Sequence, residues 1–262
     1  MLPVLRVGSL AIQTPGLVLL AGLWLGLSLA ERHAADSGVK ANDLYNLAFI
    51  TLVAGVVGAR LAYILRYPSI FADSPASIFS LNPGLLDLWG AAAAGLIAGL
   101  VYGQRRQMQL WPTLDALAPA LAVLAVTLAV SHLASGAGYG NPTNLPWGIE
   151  QWGARRHPTQ VYEVLAALFI LWAVWPGQAV LHLRGSANPA PGVRFLSFLA
   201  LTAAASLFVD AFHGGSLLLP GGWRATQVVS WVVLAASLWM LGKKLKDGAR
   251  QFADSRDIGY DP

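Results

Sequence analysis

Few ionisable or strongly polar residues lie within the apolar stretches of this 262-residue chain, and their types suggest chemistry. Arg60 sits inside one stretch, Asp87 opens the next, and His132 stands near the end of another. Gln160, Tyr162 and Glu163 open a further one, Asp210 closes the one after, and Gln227 opens the last. Ionisable groups in such segments are costly and are functional candidates by default. An imidazole such as His132 or His157 can move a proton near neutral pH. Paired guanidinium groups such as Arg155 and Arg156 suit phosphate or other anionic headgroups. The chain has no cysteine, which removes disulfides, thiolate catalysis and Cys-ligated metals. No metal site is expected.

The segment 135–158 is the second distinctive feature. It contains Gly140-Asn-Pro142-Thr143-Asn-Leu-Pro146-Trp147-Gly148 and ends in Arg155-Arg156-His157-Pro158. Four glycines and two prolines fall within 136–148. Proline fixes φ and glycine permits positive φ, so this composition specifies a defined irregular path. Glycine-rich loops also present backbone N–H groups to phosphate. The alternative for the arginines is interfacial anchoring.

The elements that must carry these residues are membrane helices. Charged residues make up 11% of the chain, apolar residues 56%, and mean hydropathy is +0.56. A soluble domain carries roughly 25% charge, so a soluble enzyme and a disordered chain are both excluded. A spanning helix needs about 20 apolar residues. Seven stretches qualify, at 15–30, 44–65, 85–103, 114–134, 159–183, 195–212 and 225–241. Trp175-Pro176-Gly177 is a possible break in the fifth. A cleaved signal peptide is the alternative for the first, ending near Ser28-Leu29-Ala30; the lone Arg6 ahead of it argues against this.

The expected fold is therefore an all-α, polytopic membrane bundle over residues 1–241 with a polar tail at 242–262. Seven spans put the termini on opposite sides. Eleven of the 17 lysines and arginines lie in loops on the C-terminal side and four on the other. The positive-inside rule then places the C-terminus in the cytoplasm and the N-terminus outside. Net charge of +4 is accounted for in the same way, and nucleic-acid binding need not be invoked. Trp111, Trp147, Trp152 and Trp223 fall near span ends, as interfacial aromatics do. Gly95-x-x-x-Gly99 offers a close helix-packing face. With this topology the polar residues gather toward the extracytoplasmic leaflet, and only Asp115 belongs to the cytoplasmic half. Either they are helix-end residues reaching water, or they line a cavity open to that leaflet. A small transporter is disfavoured, since no internal repeat is evident.

Three strings carry a resemblance: Gly58-Ala-Arg60-Leu-Ala-Tyr63 in the second stretch, the Gly140–Gly148 segment, and Arg156-His157-Pro158-Thr159-Gln160-Val-Tyr162-Glu163. Together they resemble the bacterial prolipoprotein diacylglyceryl transferase family, and the last string is the most specific. The resemblance implies seven spans in the inner membrane and transfer of diacylglyceryl from phosphatidylglycerol, or another anionic phospholipid, to a lipobox cysteine thiol. The partners it implies are that lipid and the signal peptides of lipoprotein precursors, with no cofactor. It also implies a base and positive charge near the phosphate. His132 or His157 would be the base, Arg60 and Arg156 would approach the phosphate, and Gly140, Thr143, Gln160, Tyr162, Glu163 and Asp210 would complete the substrate site.

Several family positions are not matched. A histidine of the third span appears as Trp89, an arginine of the fourth as Ala129, and an arginine of the sixth as Ser206. Alanine and serine cannot replace a phosphate-binding guanidinium. Two expectations follow. The chain has rebuilt the site from other groups, with His132, Asp210, Arg60, His157 and the nearby His213 able to supply a base and charge, or it has kept the scaffold as a lipid-binding subunit of a membrane complex. A His213-Gly-Gly215 string, remote in sequence from the third stretch, resembles the missing histidine motif only by chance.

Overall fold

A computed structural model of the chain describes residues 4–7, 10–73, 75–79, 86–176, 190–215 and 219–257. An antiparallel pair, β1 (Val4–Val7) and β2 (Leu10–Gln13), leads into α1 (Thr14–His33). Then come α2 (Ala41–Arg66), the short α3 (Pro68–Asp73), α4 (Leu88–Arg105) and α5 (Leu110–Ser135). A small antiparallel hairpin, β3 (Ile149–Gln151) and β4 (Ala154–Arg156), precedes α6 (Thr159–Val174), α7 (Val193–Asp210) and α8 (Ala225–Asp257).

Each of the seven apolar stretches carries a helix, and α3 lies between the second and the third. Five helices are long and apolar enough to cross a membrane: Thr14–His33, Ala41–Arg66, Leu110–Ser135, Val193–Asp210 and Ala225–Asp247. The other two fall short for visible reasons. α4 ends on Gln104 and Arg105, and α6 has 16 residues. α6 stops at Trp175, whose φ of −59° and ψ of 136° are the extended values forced on a residue before proline. The rest of the fifth stretch, 177–183, lies outside the described residues. At the other end, α8 runs on past the last apolar stretch to Asp257, so the polar tail begins as helix.

The long helices expose large side chains that a soluble protein would bury. Trp24, Leu65, Leu96, Val232 and Trp239 are all more than half exposed. Lipid is the solvent in which such a surface is stable, because the backbone polar groups are satisfied within each helix.

Two compact units make up the chain, Ala34–Thr113 and the described parts of Met1–His33 with Leu114–Pro262. Within the first, α4 lies against α2 through glycine. A Cβ on Gly58 would come within 2.2 Å of Ala94 Cβ, and one on Gly90 within 2.2 Å of Ala62 Cβ. Gly95 and Gly99 face Thr51 in the same groove, so the small-residue face packs as its spacing suggested. In this unit Asp87 is a helix cap. Its Oδ1 accepts from the Gly90 amide at 2.8 Å and its Oδ2 lies 3.2 Å from Arg66 Nη1.

In the second unit α5, α6 and α7 meet at Ala118, Ala122, Ile170, Val174 and Phe198. Asp115 explains itself here. Its carboxylate accepts from the Gly192 amide at 2.5 Å and the Phe195 amide at 2.8 Å, capping the N-terminus of α7. First-turn amides have no intrahelical partner, so a buried carboxylate can supply one. Asp115→Ala should destabilise the protein by about 1–2 kcal/mol, the usual loss of such a cap. Thermal unfolding in detergent reads this, and Asp115→Asn should lose less because it keeps one acceptor.

Candidate active site

Two of the ionisable residues in the apolar stretches are thus structural caps. Those that remain in the α5–α8 unit converge. His132, in the last turn of α5, faces Glu163 in the first turns of α6, with Nδ1 2.9 Å from Oε2. The other carboxylate oxygen, Oε1, lies 3.3 Å from Nε2 of His213, just past the end of α7. All three side chains are partly buried. Gly138 closes over them: a Cβ there would stand 3.3 Å from His213 Nε2 and 3.6 Å from both Glu163 Oε1 and His132 Nδ1. Its φ of +64° is a second reason for glycine at this position.

The protons follow from the partners. An ionised carboxylate only accepts, so each imidazole donates the nitrogen that faces Glu163. Neutral His132 then carries its proton on Nδ1 and presents Nε2 as a lone pair. Neutral His213 carries its proton on Nε2 and presents Nδ1. The two facing nitrogens contact separate oxygens of one carboxylate; among the described residues no such group is arranged to hold a metal ion. An imidazole oriented by a carboxylate is an arrangement for removing a proton from a hydroxyl or thiol.

The 135–158 segment is held above this group by the residues of the Arg156–Glu163 string. Gln160, 1% exposed, donates Nε2 to the Ala137 carbonyl at 3.0 Å. Thr159 Oγ1 donates to the Gly138 carbonyl at 2.5 Å, and buried Gln151 donates to Gly136 at 3.2 Å. Tyr162 accepts from Trp147 Nε1 at 2.9 Å. Arg156 donates Nη1 to the Gly140 carbonyl at 3.2 Å and Nε to Gln151 at 3.1 Å, and its guanidinium lies over the Tyr139 ring. Arg155 donates in the same way to Pro146 and Gly148. Both arginines therefore shape the segment while leaving further N–H groups of each fork.

Gly140 and Thr143 work through their backbones. A Cβ at Gly140 would meet the His157 carbonyl at 2.4 Å, and Gly140 pairs with His213 as an isolated bridge. Thr143 donates its amide to the Arg155 carbonyl at 2.9 Å. His157 is placed apart from the Glu163 group. Its ring packs 5.0 Å from that of Phe212 and 6.4 Å from that of Tyr162, and its Nδ1 is buried. Arg60 belongs to the other unit, where it donates to the Ser77 and Ile78 carbonyls and covers the Phe71 ring.

Asp210 is buried at the end of α7, 3.8 Å from Arg224 Nη1. Sequence reasoning offered His213 among the groups that could supply a base and charge, and gave Arg224 no place in the site. The partner of His213, Glu163, comes from an earlier helix, and that of Arg224, Asp210, from the end of the helix just before it. The one available signal was charge: both lie beside the last turn of α7 or the first of α8, where a lone polar residue needs a partner.

The fold and this site define a polytopic helical membrane protein with a histidine–carboxylate centre under a glycine-rich segment. The profile of the family described as prolipoprotein diacylglyceryl transferase matches residues 3–242, and the chain belongs to that family. A phosphatidylglycerol–prolipoprotein diacylglyceryl transferase of Thermus thermophilus is 30% identical over 274 residues, covering 90% of this chain and 95% of that protein. The protein of that name in Clostridioides difficile is 27% identical over 219 residues, covering 83% and 84%. That of Cupriavidus pinatubonensis is 33% identical over 182 residues, covering 64% and 66%.

Proposed function

We propose that this chain transfers diacylglyceryl from phosphatidylglycerol to a lipobox cysteine thiol of a lipoprotein precursor. The observation that carries this reading is the His132–Glu163 contact beneath the held segment, in a chain whose family match runs almost end to end. Seven helices form one membrane domain over 1–241, with the N-terminus outside, the C-terminus and the 242–262 tail in the cytoplasm, and the bacterial inner membrane as its location. The precursor is presented by its signal peptide from the extracytoplasmic side.

In this reading His132 Nε2 takes the proton of the thiol. The thiolate attacks the glyceryl carbon bonded to the phosphate oxygen. The C–S bond forms, the C–O bond breaks, and glycerol phosphate leaves with the oxygen and its electron pair. Glu163 holds His132 in the required tautomer and stabilises the imidazolium that forms. Arg156 approaches the phosphate with the part of its fork that the segment leaves open, and Gln160, Tyr162, Gly140 and Thr143 set the shape of the segment that receives the acceptor. His157 is the alternative base; its ring packs against Phe212 and Tyr162, and among the described residues its buried Nδ1 has no hydrogen-bond partner to orient it. A second reading, a lipid-binding subunit of a membrane complex, draws on the loop carbonyls that Arg155 and Arg156 already satisfy.

The test is transfer of label from glycerol-labelled diacylglyceryl lipid to a synthetic lipobox peptide. Label should appear on the cysteine peptide and be absent from its serine analogue. Equal labelling of both, or of neither, contradicts the proposal.

A further inference from the structure

The reaction proposed above raises the charge on the departing phosphate from about −1 toward −2. A site that makes such a group leave needs a cation or donors aimed at it. Ala129 and Ser206 carry no charge, and Arg155 and Arg156 each give two donors to the segment above the site. A further arginine at the same end of α7 and α8 is Arg224, next to the start of α8.

Its placement is specific. The Arg224 guanidinium donates to the main-chain carbonyl of Asp210. The same carbonyl accepts the amide of His213 at 3.2 Å, and the side chain of His213 is bonded to Glu163. One oxygen atom thus joins Arg224 to the backbone of the residue that flanks the carboxylate. The side chain of Asp210, 9% exposed, stands 3.8 Å from the same guanidinium nitrogen. The Arg224 side chain is 26% exposed, so it is fixed along one edge and reachable along another. Arginine presents five donors in a planar fork, so one edge can serve Asp210 while the other takes two phosphate oxygens.

We propose that Arg224 is a phosphate-binding cation of this site, in addition to Arg156, and that Asp210 positions it. This rests on the transferase reading for the reaction and on the geometry alone for the binding of a phosphodiester headgroup. Asp210 restrains the guanidinium before the lipid arrives, which reduces the ordering needed at the moment of binding.

The experiment compares wild type, Arg224→Ala, Arg224→Lys and Asp210→Asn in two assays on the intact protein. The first is equilibrium binding of vesicle-derived phosphatidylglycerol against a neutral diacylglycerol, followed by quenching of protein tryptophan with brominated lipid. The neighbouring Trp223, 68% exposed, is a reporter at the site. The second is diacylglyceryl transfer to the lipobox peptide. Arg224→Ala should abolish the preference for the phosphodiester lipid and lower transfer about a hundred- to a thousand-fold. Arg224→Lys, with charge and no fork, should retain part of both. Asp210→Asn should raise KM for the lipid more than it lowers kcat. An unchanged lipid preference in Arg224→Ala overturns the assignment of Arg224. If wild type prefers the phosphodiester lipid, loses that preference in Arg224→Ala, and shows no transfer, then the assignment stands and the transferase reading fails.

Discussion

Glu163→Gln should lower the rate of transfer roughly a hundred- to ten-thousand-fold while leaving lipid binding nearly unchanged, the range expected when an acid–base centre is disabled. The substitution keeps shape and removes one acceptor. In the native arrangement both carboxylate oxygens accept, one from His132 Nδ1 and one from His213 Nε2. The glutamine amide has one acceptor and one donor group, so one imidazole now faces an N–H. If that imidazole is His132, its Nδ1 must accept, its proton moves to Nε2, and no lone pair remains to take the thiol proton. In the other orientation His132 keeps its tautomer and loses the negative charge that stabilises its imidazolium. Either way kcat falls and KM for the lipid holds. Kinetics at saturating peptide, with the lipid varied, separate the two constants. A rate within a few-fold of wild type would mean that Glu163 only holds the segment in place.

The second large effect is on stability. Gly58→Val should disrupt the α2–α4 pair, because no side chain fits there. A Cβ at Gly58 would lie 2.2 Å from Ala94 Cβ and 2.8 Å from the Gly90 carbonyl oxygen. The obstacle includes backbone, which cannot rotate away. The reciprocal contact at Gly90, 2.7 Å from the Gly58 carbonyl oxygen, shows two helices touching main chain to main chain. In lipid such close packing is a principal source of helix association, since burial of apolar area adds little. Overpacking costs about 1–3 kcal/mol in well-packed cores, and this site is at the upper end. Gly55→Ala is a graded control, with its nearest contact at 3.4 Å from the Ala91 carbonyl oxygen. Gly103→Ala is a neutral one, since nothing lies within 4 Å. Thermal unfolding in detergent should rank them Gly103→Ala, Gly55→Ala, Gly58→Val in order of increasing loss. An unperturbed Gly58→Val would show that α2 and α4 do not approach through this face.

Particular residues show how much was legible beforehand. The helices were, because their apolar stretches are long and their ends are marked by Asp87, Arg105 and Trp175-Pro176. The small-residue packing of α4 was also legible, because Gly95 and Gly99 share a helix face. Asp115 stands out in the sequence as the buried polar residue of the cytoplasmic half; nothing local shows that its partners are amides 77 and 80 residues further on. His213 was legible as a histidine that could supply a base, but its pairing with Glu163 was not, for the same reason. Its partner, Glu163, lies on another helix, and its string matched a motif that belongs elsewhere in the chain. Arg155 and Arg156 were legible as cations, but their acceptors, carbonyls of an irregular segment, follow no sequence period. Local periodicity thus yields elements, whereas the site depends on contacts between them.

In the proposed reaction His132, held by Glu163, removes the thiol proton. The most direct measurement is the initial rate of diacylglyceryl transfer to a lipobox peptide by purified wild type and by His132→Ala, at equal lipid occupancy. Wild type should transfer, and His132→Ala should be slower by at least a hundred-fold with its fold and lipid binding intact. Transfer by His132→Ala at the wild-type rate, or none by wild type under conditions where a family relative is active, would contradict the account.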